Sequence, residues 1–243
     1  MNVTIVLPTY NEAENIEDFL NAVYKVINEI TDFNINTLIV DDNSPDGTAD
    51  IVKNLQQTND KIYLLENNTR GLGNAYKKGF KYAINNLNPE ILVEMDSDFS
   101  HDPEKLKEIL PPIKSGYDFV IGSRYIKGGS IPKDWALIRK MNSKYGNIFA
   151  RFIAGLFKIK DCTSGYRAIR VAILKQIDLD NLDVNGYAFQ MNILYECVHH
   201  GAKFLEIPID FIDRAKGKSK LGIKDVKEFM VNSFKLLFRR MFN

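Results

Sequence analysis

The sequence predicts an α/β protein built on a doubly wound, mostly parallel sheet. Three observations predict it. Short apolar runs rich in β-branched residues recur through the first half, stretches with helical spacing separate them, and polar turn formers follow most of the runs directly. Strands alternating with helices need crossover connections, and these build a parallel sheet covered on both faces. The 243 residues are 45% hydrophobic and 26% charged, with 15 Gly and 8 Pro. That composition is globular and excludes a disordered, collagen-like or disulfide-stapled chain.

Taken in order, residues 3–7 are an apolar run ended by Pro8, a buried strand. Within residues 11–30, Ile16, Phe19, Leu20, Val23, Val26, Ile27 and Ile30 repeat at helical spacing. Residues 37–40 read as a second strand, and residues 41–48 (DDNSPDGT) are dense turn chemistry. Thr48 is expected to cap a helix running to about residue 57. Residues 62–65 are a third strand, 71–73 a glycine loop and 74–86 a helix. Residues 91–95 give a fourth strand, 103–115 a helix and 119–121 a fifth strand. Past Ser123 the pattern changes. Residues 126–135 look like loop, 137–156 and 187–200 like helices, and 203–211 like a strand that Pro208 confines to an edge or a bulge. No repeat or low-complexity linker divides the chain. We expect one domain over residues 1–222, with halves 1–123 and 124–222, followed by a helix over 223–243.

The formal charge of +1 hides an asymmetry. Residues 1–123 hold 10 Lys/Arg against 20 Asp/Glu, and residues 124–160 hold 9 against 1. Residues 161–213 hold 4 against 8, and residues 214–243 hold 9 against 2. Two basic segments flanking an acidic one suit a surface that meets an anion, or solvated faces that cluster. Nucleic acid is disfavoured, because the acidic first half would repel a duplex. The longest uncharged stretch, residues 184–195, is too short and too polar to span a bilayer. The N-terminal residues lack a basic region and a cleavage pattern, so no secretory signal is expected. Cys162 and Cys197 lack metal or redox spacing, which suits a reduced, cytoplasmic setting and makes the sequons at Asn2 and Asn67 chance.

Ligands of an open parallel sheet bind beyond the carboxyl ends of its strands. Three loops there are rich in polar groups: Pro8-Thr9-Tyr10-Asn11-Glu12, Asp41-Asp42 and Asp96-Ser97-Asp98. Asp96 and Asp98 can converge on one divalent cation, and all-oxygen ligands favour Mg²⁺ or Mn²⁺. Taken alone, the pair equally suits acids favoured by the helix start at Asp102-Pro103. With the other two loops, a metal–diphosphate site is the better reading.

These loops occur in order with Gly71-Leu72-Gly73, Gly122-Ser123-Arg124-Tyr125 and Gly217-Lys218-Ser219-Lys220-Leu221. Together the six motifs closely resemble the polyprenyl-phosphate (dolichol-phosphate) mannosyl- and glucosyltransferases, inverting enzymes of the family-two glycosyltransferases, over nearly the whole chain. The resemblance implies a Rossmann-like, GT-A type nucleotide-diphospho-sugar transferase fold, with residues 1–123 as the nucleotide-sugar half and 124–222 as the acceptor half. It implies that Pro8, Tyr10, Glu12, Val40 and Asp42 hold the nucleotide base and ribose. Asp96, Ser97 and Asp98 match the metal–diphosphate positions. Arg124 matches an arginine that contacts donor phosphates, and Arg214 and Lys220 match a basic loop that closes on donor and acceptor. Arg139 and Ser143, one helical turn apart, match residues implicated in binding the acceptor phosphate.

The expected activity is metal-dependent inverting transfer of a hexose, mannose from GDP-mannose first, to a polyprenyl phosphate on the cytoplasmic face of a membrane. Small membrane subunits are expected as partners. UDP-glucose or UDP-N-acetylhexosamine donors, or a non-catalytic nucleotide-sugar-binding subunit, are the alternatives. The chain departs from the family twice: Ser100 stands where some relatives carry Gln, and Asn192 where relatives commonly place Glu. Asn cannot act as a base, which suits a phosphate acceptor, already mostly ionised at neutral pH, better than a sugar hydroxyl.

The remaining motifs read more plainly. Ile223, Val226, Met230, Phe234, Leu237 and Met241 line one face of a basic, aromatic helix that could lie on a membrane or dock on the domain. His199 and His200 near a helix end suit capping rather than metal binding, and His101 suits a loop residue. Gly71-Leu72-Gly73 reads as a tight turn bordering the site, and Trp135 as packing, with contact to lipid the alternative.

Overall fold

The computed structural model describes residues 1–182, 186, 188–213 and 223–242. Its sheet contains β1 (Asn2–Thr9), β2 (Asn34–Asp41), β3 (Ile62–Glu66), β4 (Ile91–Glu94), β5 (Phe119–Ser123), β6 (Arg167–Arg170) and β7 (Phe204–Pro208), in the order β3-β2-β1-β4-β6-β5-β7. All neighbours pair in parallel except β6, which runs antiparallel to both β4 and β5. The chain moves outward from β1 through β2 to β3, then returns to β4 on the other side of β1. That reversal opens a crevice at the carboxyl ends of β1 and β4.

The apolar runs of the first half become strands because helices cover them on both faces, so alternate residues are buried on either side. On one face, Val3, Ile5, Leu7, Ile39 and Val93 pack with α1 (Ile16–Ile27), α2 (Thr48–Gln56) and the segment of α4 (Leu106–Ile109) and α5 (Pro111–Lys114). On the other, Val6, Leu38, Val40, Leu92 and Ile121 pack with α3 (Leu72–Asn86), α6 (Leu137–Ala154) and α8 (Ala188–His199). A short α7 (Val171–Leu174) follows β6, and α9 (Ile223–Phe242) lies against α6 and α8. Helix α3 packs tightly on the sheet at Gly79. A Cβ on its Gly79 would stand 2.7 Å from Val6 Cγ1 and 2.9 Å from Val40 Cγ2, so only glycine permits this approach.

Several expectations are corrected. Residues 11–15 lie ahead of the first helix, which spans Ile16–Ile27. Thr48 does not cap α2; Gly47 takes that place at φ 90°, and the Thr48 hydroxyl accepts from the Glu12 N–H at 3.0 Å. The helix expected over 103–115 is divided into a 3₁₀ turn (Pro103–Lys105), α4 and α5, and Pro111 and Pro112, which carry no N–H, separate α4 from α5. Strand β6 was not expected. Its four residues, Arg-Ala-Ile-Arg, are too short and too charged to show strand alternation. Pro208, by contrast, ends β7 at the sheet edge, as its missing N–H requires.

Candidate functional site

The three polar loops meet at the carboxyl edge, and each turns through one residue in the left-handed region: Asn11 (φ 55°), Asn43 (φ 54°) and Phe99 (φ 63°). Asparagine tolerates that conformation, whereas a bulky aromatic adopts it at a cost. The Phe99 ring packs edge-on against Phe19 at 5.1 Å, which helps hold the turn that follows Asp98.

The loop after β1 is braced by the loop after β2. Thr9 Oγ1 donates to Asp41 Oδ1 at 2.9 Å, and the Asn11 and Ala13 N–H groups donate to Ser44 Oγ (2.9 Å) and Asp46 Oδ2 (3.0 Å). Buried Glu12 accepts from Asn15 Nδ2 at 3.0 Å. Asp41 is thereby structural, because it also accepts from Ser44 N–H and hydroxyl. Asp42 accepts from Asn67 Nδ2 at 2.6 Å and from Gly71 N–H at 2.9 Å. Burial raises its pKa above the ordinary carboxylate value, against the opposing pull of those two donors. Gly71 donates from φ 134°, a conformation that favours glycine, so the glycine turn sets the position of Asp42. Pro8 and Val40 pair in register, with the Val40 side chain buried under α3 and only its backbone facing the edge. Tyr10 carries the Arg70 guanidinium 3.8 Å above its ring centroid, a contact without a sequence signal.

Asp96, Ser97 and Asp98 follow β4 at the crevice. Ser97 and Asp98 are buried, and Asp96 is partly exposed. The Asp98 carboxylate accepts from Ser100 N–H at 3.0 Å, and the Asp96 N–H donates to His101 Nδ1 at 3.0 Å. His101 is therefore a buried strut. Burial pushes its pKa down to about 4, so the ring is neutral with its proton on Nε2. Among the described residues no group of three or more His, Cys, Asp or Glu could hold a metal ion. Two carboxylates at a crevice still fit a hard cation that takes its other ligands from a bound diphosphate and water, as Mg²⁺ and Mn²⁺ do.

On the far side of the crevice, Arg124 is clamped by Asp161. Its N–H and Nε donate to Oδ2 at 3.0 and 2.7 Å, and Nη2 donates to Oδ1 at 2.8 Å and to Thr163 Oγ1 at 2.9 Å. Burial penalises both charges, yet pairing prevails: Arg124 lies above its ordinary pKa and Asp161 below. Arg139 forms a two-pronged pair with Asp213 at 3.0 and 3.1 Å and lies 3.8 Å over the Trp135 ring. Ser143 Oγ meets Tyr125 OH at 2.6 Å. Trp135 and Phe211 stack edge-on at 5.8 Å, as do Phe211 and His101, so an aromatic chain joins Arg139 to the Asp96 turn. Arg214 and Lys220 lie outside the described residues.

Elsewhere, Asn192 is buried and donates to the Ala188 carbonyl one turn back at 2.9 Å. His200 Nδ1 meets the Glu196 carbonyl at 2.8 Å at the helix end, and His199 stacks on Tyr195. Helix α6 exposes Leu137, Ile138, Met141, Tyr145, Ile148 and Phe152, with Leu137 73% and Phe152 66% accessible. Helix α9 docks on the domain, one of the two readings of its sequence. Leu236 and Phe229 pack on the core, whereas Met230, Phe234, Phe238 and Met241 face outward. Among the described residues no helix is long and apolar enough to cross a membrane.

Comparison with known proteins agrees with this geometry. Residues 4–178 match the model of glycosyl transferase family 2. The chain is 36% identical over 228 residues to the polyprenol monophosphomannose synthase of Mycolicibacterium smegmatis, covering 93% of this chain and 83% of the relative. It is 37% identical over 233 residues to the undecaprenyl-phosphate mannosyltransferase of Micrococcus luteus (96% and 92%). It is also 32% identical over 238 residues to the dolichol-phosphate mannosyltransferase of Pyrococcus furiosus (98% and 64%). Among solved structures, mannosyl-3-phosphoglycerate synthase from Rubrobacter xylanophilus superposes with a TM-score of 0.68 at 17% identity, over 99% of this chain and 74% of that one. Glucosyl-3-phosphoglycerate synthase from Mycobacterium tuberculosis, in complex with Mn²⁺ and UDP-glucose, gives 0.67 at 15% identity, over 98% and 78%. The fold is the GT-A fold of the glycosyltransferases.

Proposed function

The chain belongs to glycosyl transferase family 2, and we propose that it transfers mannose from GDP-mannose to a polyprenyl phosphate, with inversion at the anomeric carbon. The observation that carries this reading is the near full-length identity to two bacterial enzymes whose names specify mannose and a polyprenyl phosphate.

In this reading Pro8, Tyr10, Glu12, Asp42 and the Val40 backbone receive the nucleoside. Asp96 and Asp98, with Ser97 between them, hold Mg²⁺ or Mn²⁺ against the diphosphate. A bound divalent cation would neutralise charge that builds on the leaving nucleoside diphosphate. Arg139 and Ser143 receive the acceptor phosphate, and Arg214 and Lys220 add positive charge for donor and acceptor. Arg124, pinned by Asp161, offers a fixed positive charge beside the diphosphate rather than a mobile contact. An acceptor phosphate oxygen forms the new bond to the anomeric carbon on the face opposite the departing oxygen. The electron pair of the broken bond leaves with the nucleoside diphosphate. A phosphate monoester has its second pKa near 6, so no side chain has to remove a proton. A buried Asn192, turned back on its own helix, is compatible with that chemistry.

The lipid acceptor requires a membrane surface, and the outward apolar residues of α6 and α9 flanked by Lys140, Lys144, Arg151, Lys235 and Arg239 support peripheral binding there. The cytoplasmic face, where GDP-mannose would be supplied, is the setting this implies, with small membrane subunits as further partners.

The test is transfer of radiolabel from GDP-mannose, UDP-glucose and UDP-N-acetylglucosamine to a mild-acid-labile lipid, with Mn²⁺ present. Label is expected from GDP-mannose, and Asp98→Ala is expected to lower the rate by about 100-fold or more. Label from a UDP-sugar alone would reassign the donor. Nucleotide-sugar binding without turnover would favour a non-catalytic subunit.

A further inference from the structure

Arg167 is the largest fully buried side chain among the described residues. It opens β6, the antiparallel strand, so it sits at the carboxyl edge of its parallel neighbours, directly opposite Glu94 on β4 and Ile121 on β5. Its guanidinium reaches three segments. Nη1 donates to the Gln190 carbonyl at 2.6 Å, Nη2 donates to the Cys162 carbonyl at 2.9 Å, and Nε lies 3.8 Å from Glu94 Oε2.

Each of these segments leads into the crevice. Glu94 stands two residues before Asp96. Cys162 follows Asp161, which clamps Arg124. Gln190 lies in the first turn of α8, and its amide and the Asp96 turn both border Gly165. A Cβ on Gly165 would lie 3.6 Å from Gln190 Nε2 and from His101 Cε1, and 4.0 Å from Asp96 Oδ1.

Stability does not explain this arrangement. Arg167 Nε makes no hydrogen bond among the described residues, and burial pushes the Glu94 carboxyl up to about 7 although Arg167 and the Gln190 amide favour its charged form. A buried ion pair with such incomplete partners is often matched or bettered by apolar side chains of similar size. Polar groups kept in a core at that cost occur at functional sites.

We propose that Arg167 is a positioning residue of the transfer site, one guanidinium that ties the Asp96–Asp98 turn, the Asp161–Arg124 clamp and the start of α8 into a fixed register. The proposal rests on the functional reading above. It assigns Arg167 no contact with substrate: it sets the distance between the carboxylates on one side of the crevice and the cation on the other.

The test uses the full chain with Arg167→Lys and with the double variant Glu94→Gln/Arg167→Met, which removes both buried charges at nearly constant volume. Thermal midpoint, GDP affinity in the presence of Mn²⁺, and kcat are measured for each. For the double variant we expect a midpoint within about 3 °C of wild type, GDP affinity within about threefold, and kcat lower by about 30-fold, as a misplacement near 1 Å brings. Arg167→Lys keeps the charge but loses the fork, and kcat is expected to fall comparably.

Unchanged kcat in a folded variant overturns the proposal, as does a fall in kcat matched by an equal loss of GDP affinity. Should the double variant fail to fold, Arg167→Lys is judged by the same criteria. Wild type separates the two readings. If it binds GDP but moves no mannose to polyprenyl phosphate, the functional reading fails, and the variants are judged on hydrolysis of the nucleotide sugar by water instead.

Discussion

Two regions of this molecule break the usual partition of polar and apolar groups, in opposite directions. Beneath the crevice, Glu94, His101, Asp161 and Arg167 are buried in the sheet's interior and its carboxyl edge, and the Arg124 side chain is 10% exposed beside them. On the outer face of α6 and α9, Leu137, Ile138, Phe152, Phe234 and Phe238 stand in solvent. Charged residues are rarely buried without partners, and contiguous apolar patches are rarely exposed. The difference teaches where each half of the task is done. In the proposed function the interior holds charges around a diphosphate, and the outer face is the part that would leave water for a lipid surface.

The interior should be the fragile region. Asp161→Asn leaves the Arg124 guanidinium buried without its countercharge, which is expected to cost about 3–5 kcal/mol in chemical denaturation. The outward pair Arg139–Asp213, with both side chains nearly half exposed, is expected to contribute about 1 kcal/mol or less to stability. If Asp161→Asn unfolds within 1 kcal/mol of wild type, the claim that the clamp is dry and tightly coupled breaks.

His101 sharpens the same comparison through pH. Its pKa is held down to about 4, against about 6.5 for an ordinary histidine. Between those values the unfolded chain binds a proton that the folded chain does not. Stability from this group is therefore complete above about pH 6.5 and is lost as pH falls toward 4, at up to about 1.4 kcal/mol per pH unit. His101→Asn retains an oxygen acceptor for the Asp96 N–H and is expected to flatten the slope of stability between pH 6.5 and 5. An equal slope in both proteins would place the proton elsewhere.

What could be read from the sequence follows from range. Six of the seven strands and most of the helices are legible because apolar runs and helical spacing are local signals, and the polar loops are legible because each follows its strand directly. Asn11 and Asn43 even belong to a residue type suited to left-handed turns. Phe99 gave no such sign, since its strained turn is held by a ring from α1. Asp161, His101 and Arg167 were missed as site residues for the same reason: each acts on a partner 5 to 73 residues away in sequence, across strands whose pairing spacing does not encode. Arg124 was found by its motif, but its clamp was not, so its fixed posture emerged only in three dimensions.

The outer face gives the smallest stability effect and the sharpest contrast. Deleting residues 223–243 would be a poor test, because Leu236 and Phe229 cover the core. Ile138→Glu and Phe152→Glu, together, change only exposed positions, so stability is expected to move by about 0.5 kcal/mol or less per site. Yet each side chain, once buried in a membrane surface, contributes about 1.5–3 kcal/mol. Cosedimentation with phosphatidylglycerol vesicles is therefore expected to weaken by more than about tenfold. Wild type should also bind neutral phosphatidylcholine vesicles less well, because Lys140, Lys144 and Arg151 then lose about 1 kcal/mol each. A double variant that sediments like wild type would leave the apolar face without a membrane role and separate it from the interior's chemistry.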